Sequence, residues 1–174
     1  MNAKRLLCWA AVFCALGAYV LLFERGPTPQ APEQTAPRLF SCTAAQIREI
    51  AVTREGRTLR LALRNGVWET DPPCGDRITQ DHLQSFVNAL LDITQIEEVA
   101  RLPASLDQFG LTKPWARVRM LLQDQERPVE LLLGAVAPSQ VSMYAQRADD
   151  DRIILIGTYL SFSLKTLMNA AALR

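Results

Sequence analysis

From Leu6 to Phe23 the chain runs LLCWAAVFCALGAYVLLF, 18 residues without a charge, and no other segment restricts the architecture as strongly. At about 1.5 Å of helical rise per residue this stretch reaches roughly 27 Å, the thickness of a bilayer's hydrocarbon core. Lys4, Arg5 and the terminal amine precede it, whereas Glu24 and Arg25 cancel after it. The positive-inside bias then places the N-terminus in the cytoplasm and exports everything downstream. Trp9 and Tyr19 fall near the two ends, where amphipathic rings favour the interface. A cleavable signal peptide is the rival reading, with Ala15 and Gly17 as small residues ahead of a cut before Ala18. The apolar run continues through Val20-Leu21-Leu22-Phe23, longer than the roughly 7–15 residues of a signal h-region, which favours a retained anchor. Neither Cys8 nor Cys14 follows the Leu-small-small pattern of a lipoprotein signal, and both read as small residues of the span.

Pro27 to Pro37, PTPQAPEQTAP, has four prolines in eleven residues and no aliphatic side chain larger than alanine. It cannot bury enough surface to fold and reads as a semi-extended spacer. The expected organisation is a cytoplasmic N-terminus and anchor over 1–25, a Pro-rich linker over 26–38, and an extracytoplasmic α+β domain over 39–174. The whole chain holds 19 basic and 18 acidic side chains. Setting aside Lys4, Arg5, Arg25, Glu24 and Glu33, the exported part carries 16 of each. A neutral domain gives no electrostatic footprint for nucleic acid, and none for anionic lipid.

Within that domain, Ile47 to Arg54 and Thr58 to Arg64 alternate as strands, with Glu55-Gly56 between them and Asn65-Gly66 before Val67-Trp68-Glu69-Thr70. Two-residue hairpins at both turns pair Val52 with Leu59, Ile50 with Leu61 and Leu63 with Trp68 on one apolar face. Glu49, Thr53, Arg60, Ala62, Arg64 and Glu69 collect on the other, a solvated sheet face. Trp68 is expected in the core. Thr79 is a natural N-cap for a helix whose Leu83, Phe86, Val87, Leu90 and Leu91 form one apolar stripe.

A second cycle follows: strands at 116–123, 128–133, 143–147 and 153–156, then a helix over 159–172 with Leu160, Leu164, Leu167, Met168 and Ala171 inward. Around a four-residue loop, Val118, Met120 and Leu122 are expected to oppose Leu133, Leu131 and Val129. The anticipated fold is therefore a transmembrane helix followed by two approximately repeated lobes of antiparallel β-meander plus helix. These span about 39–96 and 115–174 and are joined by Glu97 to Pro114.

The order of features resembles the domain of unknown function 4340 family of membrane-anchored, extracytoplasmic bacterial proteins. The residues that carry the likeness are the anchor end Leu21-Leu22-Phe23-Glu24, Ile47-x-x-Ile50-x-Val52, Asn65-Gly66-Val67-Trp68 and the Asp81-to-Leu91 helix. Phe109-Gly110-Leu111 before Pro114, Leu131-Leu132-Leu133-Gly134, Met143-Tyr144-Ala145 and Leu173-Arg174 complete it, so the likeness extends over essentially the whole chain. It implies envelope work in settings of ABC-type transport or gliding-like components, and it supplies no catalytic residue. Read on its own residues, Phe109-Gly110-Leu111 is a packing device: Gly110 takes positive φ freely and Leu111 pins the connector to the core. A peptide-docking loop is the alternative.

The residues offer little chemistry. His82 is the single histidine and falls in the first turn of the Thr79 helix, facing water. The sequence contains no Gly-x-Ser-x-Gly elbow, phosphate loop, GxGxxG fingerprint or HExxH helix. Asp149-Asp150-Asp151 lacks the alternating spacing and glycine of a calcium loop and reads as a solvated turn. Glu97-Glu98 has no spacing that identifies a glycosidase. Cys42 and Cys74 could pair in an oxidising compartment, but the meander puts them at opposite ends of the strands, which disfavours a bridge. No catalytic, cofactor-binding or metal residue is expected, and no cofactor. The function expected is a single-pass, anchored interaction or scaffold module of the bacterial envelope, offering a sheet edge or inter-lobe groove to an envelope protein. An accessory subunit of an ABC-type transport or gliding-like system, or a binding module for a lipid, glycan or peptide, is the alternative.

Overall fold

A computed structural model describes residues 13, 16, 19, 38–71, 73, 78–103 and 105–172. Residues 36–174 fall in one compact unit. Among the described residues no helix is long and apolar enough to cross a membrane. The expected span Leu6–Phe23 lies outside the described residues except for Phe13, Leu16 and Tyr19, which are helical and exposed. Cys74 and the linker before Arg38 also lie outside them.

Eight strands form a single antiparallel sheet in the order β3-β2-β1-β5-β6-β7-β8-β4. They are β1 (Ile47–Arg54), β2 (Arg57–Arg64), β3 (Val67–Asp71), β4 (Glu97–Arg101), β5 (Ala116–Leu122), β6 (Val129–Val136), β7 (Ser142–Arg147) and β8 (Arg152–Gly157). Helices α1 (Gln80–Leu91) and α2 (Tyr159–Ala172) pack on each other and share one core with the sheet.

The first meander forms as its turns dictate. Glu55 and Gly56 take φ of 51° and 76°, Asn65 and Gly66 51° and 79°, the left-handed pairs that let a two-residue loop match strand twist. Val52 therefore faces Leu59, Ile50 faces Leu61 and Leu63 faces Trp68, the expected register residue for residue. Ile50, Val52, Leu59, Leu61 and Trp68 are buried. Thr79 caps α1, its hydroxyl accepting from the His82 backbone N–H, and Leu83, Phe86, Val87 and Leu90 are buried beneath the helix. His82 is exposed, and its ring folds back toward Thr79.

Two expectations change. The β5–β6 hairpin pairs Ala116 with Leu133, Val118 with Leu131 and Met120 with Val129, two residues away from the expected register. The far end of β5 is held by the first meander instead: Leu122 pairs with Ile47, and Gln123 donates its backbone N–H to Gln46 O and its side chain to Ala45 O, each at 2.8 Å. A two-residue slip keeps every side chain on its face, so alternation could not detect it.

The connector differs as well. Glu97–Arg101 is a strand that crosses to the far edge of the sheet and pairs with β8, while β1 joins β5 at the centre. The two meander-plus-helix halves thus share one sheet and one core. The connector supplies an outer strand to the second half, and the described residues form no separate lobes.

Candidate functional site

Both sheet edges have features that blunt strand addition. β3 is five residues long and carries Glu69 and Asp71. β4 is equally short, has a register irregularity between Glu98 and Ala100, and ties Arg101 to Glu98 at 2.9 Å. Short, charged or bulged edges are the usual protection against pairing with another chain. The concave surfaces are therefore the better candidates.

One cleft, of about 310 Å³, lies where three elements meet at the start of β5. Its walls include Gly110 and Trp115 from the connector, Gly134 to Val136 from the end of β6, Met143 from β7, and Ser161 and Lys165 from α2. The β6–β7 ladder shifts register between Leu133 and Val136, so residues 134 and 135 leave regular pairing and approach the connector. A methyl group on Gly134 would collide with the carbonyl oxygen of Phe109, and one on Gly110 would lie 2.8 Å from the Ala135 nitrogen. Gly110 also has φ +67°, where a side chain is strained. Each segment thus admits the other only because a side chain is absent. Leu111 is buried, and the Phe109 ring meets Tyr144 edge-on at 5.0 Å. Phe109-Gly110-Leu111, Leu131-Leu132-Leu133-Gly134 and Met143-Tyr144-Ala145 are consequently one packed unit, and it forms one side of the cleft.

Trp115 is half-buried at the other side. The Arg54 guanidinium lies 4.7 Å and the Lys165 ammonium 5.6 Å from its ring centre. Cations over an indole face gain from its negative quadrupole. Arg54 is also paired with Glu55 at 2.8 Å, and its Nε is buried without a hydrogen-bond partner, leaving the ring as its compensation. Lys113 and Lys165 are exposed and have no carboxylate partner among the described residues. The Ser161 hydroxyl donates to Thr158 O at 2.7 Å, so toward a further group it can act only as an acceptor. A cleft with an indole wall and two ammonium groups that meet no carboxylate among the described residues can hold an anion that has an apolar body.

A second groove, of about 350 Å³, lies at the other end of the sheet, lined by Phe40, Cys42, Gln46, Met120, Gln123 and Arg147 among others. Its one cation, Arg147, is already engaged. Arg147 is bonded to Asp149 at 2.7 Å, reaches Leu39 O at 3.3 Å and lies over the Phe40 ring. Burial raises the Cys42 thiol above its ordinary pKa, which disfavours the thiolate. The neighbouring aspartates each have their own cation: Asp149 with Arg147, Asp150 with Arg152 at 2.6 Å and Asp151 with Arg101 at 3.2 Å. The Arg152 fork holds the Asp150 carboxyl down to about 2. Three carboxylates engaged by three guanidinium groups form a charged turn. No group of metal-ligating side chains occurs among the described residues.

With these contacts in place, the likeness to known sequences has a structural meaning. The family description Domain of unknown function (DUF4340) matches residues 68–172. The chain belongs to the domain of unknown function 4340 family. The DUF4340 match runs from the first residues of β3 to the end of α2 and includes every residue that lines the Trp115 cleft. It is narrower than the whole-chain likeness expected from the sequence, leaving β1 and β2 outside. Yet β3 reaches the sheet only through β2, and β2 only through β1, so the matched part needs residues 47–64 to complete its sheet. No curated protein and no solved structure matches the chain.

Sequence reasoning expected the Phe109-Gly110-Leu111 connector to pack, named Gly134 only within the Leu131-Leu132-Leu133-Gly134 motif, and did not single out Lys113, Trp115 or Lys165. The available signal was Lys113-Pro114-Trp115, a cation and an indole held two residues apart by a proline, in a domain of balanced charge.

Proposed function

We propose that this DUF4340 protein is a single-pass, membrane-anchored interaction module of the bacterial envelope. Its N-terminus lies in the cytoplasm and its domain on the outer side of the inner membrane. The observation that carries the reading is the uncharged Leu6–Phe23 run, within which Phe13, Leu16 and Tyr19 are helical and 81%, 58% and 61% exposed. Large apolar side chains held outward on a helix suit lipid. The domain is a binding rather than a catalytic body, and its working surface is the Trp115 cleft in place of the blunted sheet edges. An accessory role beside an ABC-type transport or gliding-like component is the partner class that the family resemblance supports. The meander-then-helix order in each half also supports an approximate internal duplication, modified by the transfer of β4 to the far edge.

A periplasmically active reporter fused after Arg174 tests the topology: activity outside the cytoplasm is expected, and activity confined to the cytosol overturns the placement. Crosslinking of the intact chain in membranes at native abundance tests the module. A reproducible envelope-protein adduct is expected, and recovery of the chain alone counts against it.

A further inference from the structure

The Trp115 end of the sheet gathers two lysines in one cleft. The domain has equal numbers of acidic and basic side chains, yet Lys113 and Lys165 both line the cleft and neither meets a carboxylate among the described residues. Beside them stand the half-buried Trp115 ring and Val136, the latter 47% exposed. Phe162, 68% exposed, lies three residues before Lys165 on α2, and residues at that spacing are neighbours on a helix surface. Lysine offers a point charge that pairs with a carboxylate, and an apolar wall favours a ligand with a side chain to bury.

We propose that this cleft binds a peptide segment of a partner protein in which a carboxylate stands beside a bulky apolar side chain. The carboxylate lies between the Lys113 and Lys165 ammonium groups, and the apolar side chain packs on Trp115 and Val136. This assignment rests on the interaction-module reading and names its ligand.

The test uses the full chain in detergent micelles and a capped hexapeptide alternating glutamate with leucine, followed by tryptophan fluorescence. Saturable quenching is expected, absent in Trp115→Phe, weakened roughly tenfold in the Lys113→Gln/Lys165→Gln double variant, and weakened again by salt. Circular dichroism and thermal melting of the variants verify folding. Absence of quenching at millimolar peptide, or equal binding of the glutamine-for-glutamate peptide, overturns the proposal. So does phosphate or a phosphatidylglycerol vesicle that binds in a lysine-dependent manner when the peptide does not. The two readings fail separately. A membrane crosslink that survives the double lysine variant keeps the module and removes this site, whereas peptide binding without any crosslinked partner keeps the site and removes the module.

Discussion

Two clusters, one near each end of the sheet, handle charge in opposite ways. At the end where β7 turns into β8, Arg101, Arg147 and Arg152 each hold an aspartate, and Arg38 holds Asp92 at 3.1 Å. At the end where β5 begins, Arg54 has Glu55, but Lys165 has only the Trp115 ring, and neither it nor Lys113 meets a carboxylate among the described residues. A balanced total therefore conceals the difference between a paired cluster and an unpaired one. Paired charges fix a turn, and each exposed pair contributes little to stability. Charges beside an aromatic wall, held by the ring alone, contribute little to the fold and remain available to a ligand.

The largest expected effect breaks the cleft itself. Gly134→Ala drives a methyl group into the Phe109 carbonyl and the Leu111 side chain and should cost about 2–3 kcal/mol in denaturant unfolding. Gly157→Ala, with nothing within 4 Å of the new atom, should stay within about 0.5 kcal/mol. If the two variants unfold alike, the close approach of connector and β6 is not what shapes this end.

A smaller effect sharpens the contrast between the ends. Arg147→Ala removes an ion pair, a hydrogen bond to Leu39 O and a stem lying over Phe40, and should cost about 1–2 kcal/mol. Lys165→Ala removes an unpaired exposed cation and should change stability by less than about 0.5 kcal/mol. Equal losses would mean that Lys165 is structural, which would remove the reason to regard it as a ligand contact.

The smallest effect is a pH dependence confined to the paired end. Asp150 is lowered from the ordinary 3.8 to about 2, mainly by its hydrogen bonds from Arg152. A carboxyl lowered on folding contributes fully above its unfolded pKa and loses that contribution as pH falls through its folded value. Melting temperature should therefore decline between about pH 4 and pH 2 by a few degrees more in the wild type than in Asp150→Asn. Identical pH profiles would show that solvent screening cancels the pair.

How much of this was legible follows from the range of each interaction. The Glu55-Gly56 and Asn65-Gly66 turns are local, so they dictate the strand register around them and the inward position of Trp68. The Thr79 cap and the stripe from Leu83 to Leu90 are local too. The β5–β6 register was not, because Gln123 answers to Ala45 and Gln46, nearly eighty residues earlier. Nor was β4 legible as an outer strand: Glu97–Arg101 has only a weak alternation, and its strand state depends on the β8 edge that awaits it. The cleft combines both cases, since Gly110 could be read as a bend, but its partner at Gly134 is set by how β6 leaves its ladder.

The sequence by itself determined the uncharged run, the proline spacer, the alternating strands and both helix faces, because each rests on spacing within a few residues. Only the tertiary structure decided that the two halves form one sheet, that β4 crosses to its far edge, and that Lys113, Trp115 and Lys165 surround one cleft. Those outcomes depend on contacts between distant segments, and hydrophobic periodicity says which side a residue faces without saying which neighbour it will meet.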